Sequence, residues 1–131
     1  MSDVLTFDSF QPGASMGRFA EAIDAGTLAA WRQLYPWDAA PEGELPRGFA
    51  TVLLMRAYMR ILRPRPPGNI HARQQLELLE GIALGEEVTT ELVCAAKELK
   101  RERRYVELAC RGSGNAGRPL FEGRMSIIWA A

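Results

Sequence analysis

The stretch that decides the fold is residues 48–62, which read Gly48-Phe49-Ala50-Thr51-Val52-Leu53-Leu54-Met55-Arg56-Ala57-Tyr58-Met59-Arg60-Ile61-Leu62. At 3.6 residues per turn the apolar side chains cover nearly every side of a helix, and a helix of that kind is buried on most of its faces. The proline-rich run 64–68 then ends it abruptly. We therefore predict one long buried helix with other elements wrapped around it.

The segments after Gly68 alternate with a period of two, which indicates strands. In residues 70–78 we predict one covered face and one polar face, the polar face being formed by His71, Arg73, Gln75 and Glu77. Three further strands are predicted at residues 88–96, 105–111 and 120–129, with turns at 100–103 and 113–117. Sequential strands joined by turns usually pair antiparallel, so we expect an antiparallel sheet.

The segments before the long helix are shorter and less regular. We predict a strand at residues 4–10, then a Pro12-Gly13 turn, and a helix from its N-cap Asp24 to Leu34. Residues 35–46 form a proline-rich loop that contains Trp37. Such loops often border sites, although the simpler interpretation is a connector whose Trp37 plugs the edge of the core. The expected fold class is α+β, with one domain over residues 1–131.

Composition excludes several classes of function. The 131 residues carry 16 basic and 16 acidic side chains, so the balance lacks the basic excess of a dedicated nucleic-acid-binding protein. No apolar run approaches the ~20 residues that span a bilayer. Residues 1–10 contain no basic side chain and do not resemble a secretory signal, so we expect a cytoplasmic location.

The two cysteines, Cys94 and Cys110, are not part of a CxxC pair, and the chain has one histidine. A zinc site of Cys and His ligands is therefore not expected. If the predicted hairpin turns near Glu102, the two cysteines lie opposite each other. They are then either a redox pair or two small core residues, and the usual burial of free cysteine favours the core.

Taken in order, these segments resemble the hotdog fold, and within it the MaoC-like acyl-thioester hydratases and dehydratases. The segments that carry the resemblance are residues 9–13, 24–34, 45–49, 67–72, 82–88, 104–106 and 115–120. The resemblance implies a long central apolar helix wrapped by a curved antiparallel sheet. It also implies an acyl thioester of coenzyme A or of acyl-carrier protein as substrate, a homodimer or higher homo-oligomer, and no cofactor.

The resemblance further implies an Asp and a His, a few residues apart in the loop before the central helix, as the catalytic pair. Asp38 stands near the Asp position, but no histidine follows it, and Arg47-Gly48 replaces the His-Gly that the family often has. Other hotdog enzymes place a carboxylate on the central helix, and residues 48–63 contain none. A catalytic carboxylate would therefore have to come from Asp38, Glu42 or Glu44.

The candidate catalytic residues are Asp38 and His71. Asp38 is either a general base beside Trp37 or a loop carboxylate that accepts a turn hydrogen bond. His71 is either an acid or base at a subunit interface or a partly exposed strand residue, with Arg73 on the same face. The candidate substrate-binding residues are Trp37, Arg47, Gly48, Phe49 and Arg73.

Two further features have alternative interpretations. The arginines of the long helix and its end either recognise the phosphates of coenzyme A or an acidic carrier protein, or form the helix's solvated face; they are Arg56, Arg60, Arg63 and Arg65. The amides of Gly48 and Phe49 either polarise a thioester carbonyl or only begin the helix.

The chain is accordingly predicted to be a dehydratase, hydratase or thioesterase. The alternative is a non-catalytic hotdog subunit that binds acyl chains or partners an active homologue.

Overall fold

The computed structural model describes residues 3–131. Two helices and five strands follow one another in the order β1 (Ser15–Glu21), α1 (Ala25–Leu34), α2 (Phe49–Ile61), β2 (Ile70–Leu78), β3 (Val88–Lys100), β4 (Arg103–Ser113) and β5 (Pro119–Trp129). The strands form one sheet in the order β1-β3-β4-β5-β2, and every neighbouring pair is antiparallel. Neither helix in this part of the chain is long and apolar enough to cross a membrane.

The predicted central helix is confirmed as α2, with Gly48 and Leu62 as its capping residues. Its apolar side chains pack against the inner face of the sheet, where alternate residues of β3, β4 and β5 are buried. The most deeply buried side chains of α2 are Phe49, Leu53, Leu54 and Ala57. The polar side of α2 faces β1, where Arg56 lies 3.4 Å from the Glu21 carboxylate and Arg60 stacks over the Phe19 ring.

The prediction of a strand at residues 4–10 is wrong. Residues Phe7–Ser9 form a short 3-10 turn, in which Ser9 Oγ accepts a hydrogen bond from the Thr6 amide. The first strand is instead β1, beyond the Pro12-Gly13 turn. Its sequence hides the strand because Gly17 interrupts the alternation. That glycine has φ +137° and lies so close to Ile61 of α2 that a Cβ would come within 3.1 Å of it.

The prediction that Cys94 and Cys110 lie opposite each other is also wrong. The β3–β4 hairpin turns at Arg101 and Glu102, both with positive φ, but a bulge between Cys94 and Ala96 shifts the register. Cys94 therefore pairs with Leu108, and Cys110 pairs with Leu92. Both thiols are buried, and burial raises the pKa of Cys94 and raises that of Cys110 to about 11. They are protonated core residues.

A second bulge corrects the predicted faces of β2. The register against β5 shifts between His71 and Arg73, so His71 pairs with the buried Ile127 while Arg73 pairs with Ser126. Because cross-strand partners share a face, His71 lies on the inner, helix-side face and Arg73 on the outer face. The two side chains are therefore on opposite faces of the sheet, contrary to the alternation predicted from the sequence.

Candidate active site

Asp38 connects the loop to the start of α2. Its Oδ2 accepts a hydrogen bond from the Trp31 indole Nε1 at 3.0 Å and another from the Gly48 amide at 3.2 Å. The approach is close enough that a Cβ on Gly48 would lie 2.4 Å from the Trp31 ring and 2.9 Å from this oxygen. The Trp31 ring also packs on Phe49, with centroids 4.7 Å apart. Asp38 thus joins Gly48, the N-cap residue of α2, to Trp31 of α1.

Replacing Asp38 with alanine is expected to lower the free energy of unfolding by about 2 kcal/mol. The change leaves the Trp31 and Gly48 N–H groups without an acceptor in a half-buried place. Chemical denaturation measures the loss, and Asp8→Ala, at an exposed carboxylate, is the control, with an expected change below about 0.5 kcal/mol. Unchanged stability in Asp38→Ala would contradict this structural role.

The amides that the sequence predicts for a thioester carbonyl are already engaged. The Gly48 amide donates to Asp38, and the Phe49 amide donates to the Pro46 carbonyl at 3.1 Å. Trp37 lies further out on the loop, is 77% exposed and touches Tyr35 edge-on. The backbone amides of Gly48 and Phe49 therefore hold the start of α2 and are not free to bind a ligand.

A cavity of about 270 Å³ lies beside the N-terminal end of α2, between the loop and the end of β2. Its apolar walls include Ala50, Leu78, Ile82 and Leu120, and Arg47, Glu44 and Glu80 add charge. Of the candidate site residues, Arg47 lines this cavity and is exposed at it. A small apolar cavity with a few charged groups is the usual form of a small-molecule site.

Arg118 donates to the carbonyl of Gly81 in the cavity wall, and it belongs to an ion pair with a buried carboxylate that the sequence did not reveal. The Glu86 carboxylate is 1% exposed and contacts the Arg118 guanidinium, and it accepts from the amides of Ala83 at 3.0 Å and Asn115 at 2.9 Å. Burial alone raises the pKa of Glu86, but these amides and Arg118 outweigh it and hold that pKa below its ordinary value. A buried Glu cannot be told from an exposed one in the Gly-Glu-Glu turn that precedes β3.

His71 lies at the other end of α2. Its ring centroid is 6.3 Å from that of Tyr58. Burial raises the pKa of Tyr58, and the Arg65 guanidinium lies over the Tyr58 ring. Asp38 contacts Gly48, and the ten residues from Gly48 to Tyr58 span about 15 Å of helix. One chain therefore does not bring Asp38 and His71 together.

Of the four arginines named from the sequence, three contact their own chain, and Arg63 is exposed. Arg65 donates to the carbonyls of Met59 at 3.1 Å and Leu62 at 2.6 Å, and it thereby satisfies the C-terminal turn of the helix. Arg56 and Arg60 contact β1. These contacts agree with the interpretation of the arginines as the solvated face of α2.

No family model and no curated protein matches the chain. Solved structures do match over nearly its whole length. A MaoC-like dehydratase from Rhodospirillum rubrum aligns with a TM-score of 0.74 and 17% identity, over 97% of this chain and 98% of that one. An (R)-hydratase from A. caviae aligns with a TM-score of 0.68 and 22% identity, over 93% and 98%. A hot-dog-like protein from Thermanaerovibrio acidaminovorans aligns with a TM-score of 0.68 and 18% identity, over 93% and 84%.

The chain therefore has the hotdog fold, as its sequence predicts. Within that class it is similar in architecture to the MaoC-like dehydratase and to the (R)-hydratase.

Proposed function

We propose that the chain acts on acyl thioesters as a hydratase or dehydratase, at the cavity beside the start of α2. The observation that carries the proposal is this cavity, which combines apolar walls with the charged side chains of Arg47 and Glu44. The fold is shared with a MaoC-like dehydratase and an (R)-hydratase, which supports the same class of reaction. The volume of about 270 Å³ is just below the usual range of about 300–1,000 Å³ for ligand sites and favours a short acyl group.

The remaining substrate contacts follow from the position of this cavity. Arg47 is the exposed cation at its mouth, suited to a phosphate of coenzyme A or of a carrier protein. Trp37 offers an exposed apolar surface on the same loop for the pantetheine chain. Asp38 positions the start of α2 rather than reacting, because both of its hydrogen bonds go to the chain itself.

The acting species is proposed to be a homodimer joined through β2. This strand lies at the edge of the sheet and is followed by the exposed Leu79. If the β2 strands of two copies pair antiparallel with a two-fold axis at Gln75, Arg73 of each copy would lie opposite the partner's Glu77. This would form two symmetric pairs of opposite charge on the outer face. In that register the bulge would set the partner's His71 opposite Leu78, an inner-face residue that lines the cavity. His71 would then serve the site of the other subunit.

Reversing one charge of β2 tests this interface. Glu77→Arg is expected to weaken dimerisation at least about tenfold, because it sets like charges opposite each other at two symmetric places. The double variant Arg73→Glu with Glu77→Arg should restore it. Analytical ultracentrifugation over a concentration series gives the dissociation constants. A wild-type monomer at all concentrations, or wild-type affinity in Glu77→Arg, would contradict the β2 dimer.

The activity is tested with crotonyl, octenoyl, butyryl and octanoyl thioesters of coenzyme A and the purified protein. Loss of the conjugated enoyl absorbance without release of thiol is the expected result, faster for crotonyl than for octenoyl. Thiol release from the saturated substrates would instead identify a thioesterase. Absence of both reactions, with the carrier-protein thioesters also unchanged, would overturn the proposed function and leave the non-catalytic subunit as the better explanation.

A further inference from the structure

We propose that Glu44 is the catalytic carboxylate of this site. The inference rests on the proposed function, since it assigns the group that moves the proton in hydration or dehydration. Of the loop carboxylates that the sequence offers, Asp38 accepts from Trp31 and Gly48 through Oδ2 and, like the exposed Glu42, does not line the cavity. Glu44 is half-buried and forms part of the cavity wall.

The backbone of Glu44 is held in place from both sides. Glu44 forms an isolated antiparallel bridge with Ala83, and on either side the Leu45 amide donates to the Ile82 carbonyl at 2.7 Å and the Leu84 amide donates to the Gly43 carbonyl at 3.0 Å. These backbone contacts fix the point from which the Glu44 side chain enters the cavity wall. Positioning of this kind is what an acid–base group requires.

Gly81 makes room for the Glu44 carboxylate. A Cβ on Gly81 would lie 2.6 Å from the carboxyl carbon and 2.7 Å from each carboxylate oxygen. The backbone of Gly81 does not adopt the positive φ that calls for glycine, so what the missing side chain provides here is space. The Gly81 carbonyl is in turn held by Arg118 at 2.9 Å, which ties this wall of the cavity to the buried ion pair.

Glu44 is also the cavity carboxylate that remains available. It takes part in none of the ion pairs formed within residues 3–131, whereas Glu80 lies 3.6 Å from Arg118. A carboxylate without an internal cation can bind a water molecule and exchange a proton with it. Glu44 therefore differs in its surroundings from Asp38, Glu80 and Glu86, each of which has a partner within the chain.

One carboxylate can complete the reaction. Glu44 takes a proton from water as the water oxygen forms its bond to C3 of the enoyl thioester, and the C2=C3 electron pair moves into the thioester enolate. The enolate then collapses as C2 takes the proton from the Glu44 carboxylic acid, so water has been added across the double bond and Glu44 is ionised again. Dehydration is the same sequence reversed.

The test compares Glu44→Gln with the matched control Glu42→Gln, a neighbouring exposed carboxylate of the same loop. We expect kcat on crotonyl-coenzyme A to fall at least about 100-fold in Glu44→Gln, with KM within about twofold and the thermal midpoint unchanged. Glu44→Asp should retain part of the activity, and Gly81→Ala should lower kcat by displacing the carboxylate. The Glu42→Gln variant should behave as wild type.

The outcomes separate this assignment from the proposed function. If the wild-type protein is active and Glu44→Gln has the same kcat, the role of Glu44 is overturned and the proposed function is retained. A loss of kcat in Glu44→Gln that is matched by Glu42→Gln would also overturn it, because the effect would then be one of loop charge. Absence of turnover in the wild-type protein overturns the proposed function and this assignment with it.

Discussion

Replacing Glu86 with glutamine is expected to lower the free energy of unfolding at neutral pH by about 3 kcal/mol. The change removes a buried negative charge that contacts Arg118 and accepts two backbone amides, from Ala83 and Asn115. The glutamine amide cannot accept all of these donors, and the Arg118 guanidinium, whose side chain is 34% exposed, loses its buried partner. Urea denaturation monitored by tryptophan fluorescence measures the effect.

The destabilisation caused by Glu86→Gln is also expected to depend on pH. The pKa of Glu86 in the folded chain lies below its ordinary value of 4.5, because the amides and Arg118 outweigh the effect of burial. The stability that comes from the ionised carboxylate is therefore fully present above pH 4.5 and is lost as the pH falls through the lower folded value. The difference in unfolding free energy between wild type and Glu86→Gln should be largest near neutral pH and should shrink in acid.

Glu87 supplies the control for this prediction. It is the next residue along the chain but is exposed, so Glu87→Gln should change stability by less than about 0.5 kcal/mol. Equal losses in the two variants would show that the effect comes from net charge. A difference between wild type and Glu86→Gln that stays constant down to pH 3, about a unit below an ordinary carboxyl, would contradict the role of the ionised pair.

Replacing Leu54 with alanine is expected to lower the free energy of unfolding by about 3 kcal/mol. Leu54 is fully buried on α2, where the helix packs on the sheet. The variant loses the free energy gained by burying the removed carbon atoms. It also leaves a cavity that the close-packed core fills only in part, which destabilises the fold further. Thermal and chemical denaturation both report this loss, and the cooperativity of unfolding should be retained.

Met59 provides a matched control on the same helix, since it is 50% exposed. Met59→Ala should cost less than about 1 kcal/mol, because alanine favours the helix and little apolar area leaves the core. A loss in Met59→Ala as large as that in Leu54→Ala would mean that α2 is buried on the opposite side from the one described.

The central helix and the order of the elements follow from local pattern. The apolar run predicted at 48–62 became α2 (Phe49–Ile61), and Asp24 became the N-cap of α1 by accepting the Thr27 amide at 2.7 Å. These features depend on neighbours within a few residues, so the sequence contains their causes. The strands β2 to β5 were predicted for the same reason, within a few residues at their ends.

The sequence predictions are wrong where the local structure depends on contacts with distant segments of the chain. The bulges at residues 71–73 and 94–96 depend on the neighbouring strand, and each turns a side chain to the other face or changes its partner. β1 was missed because its pattern is broken by Gly17, a residue favoured by its φ of +137° and by its close contact with Ile61. The loop offered several carboxylates, and sequence alone could not distinguish Asp38 from Glu44.

By itself the sequence determined a buried helix, an antiparallel sheet and the absence of a carboxylate on that helix, because periodicity and composition are local properties. Only the tertiary structure decided that Asp38 joins Gly48 to Trp31, that Glu86 is buried against Arg118, and that Glu44 lines the cavity beside Gly81. Glu86 and Glu44 meet residues more than 30 positions away in the chain, and Asp38 meets residues across an irregular loop that no periodic pattern describes. The chemistry of a carboxylate depends on such partners and on its access to solvent.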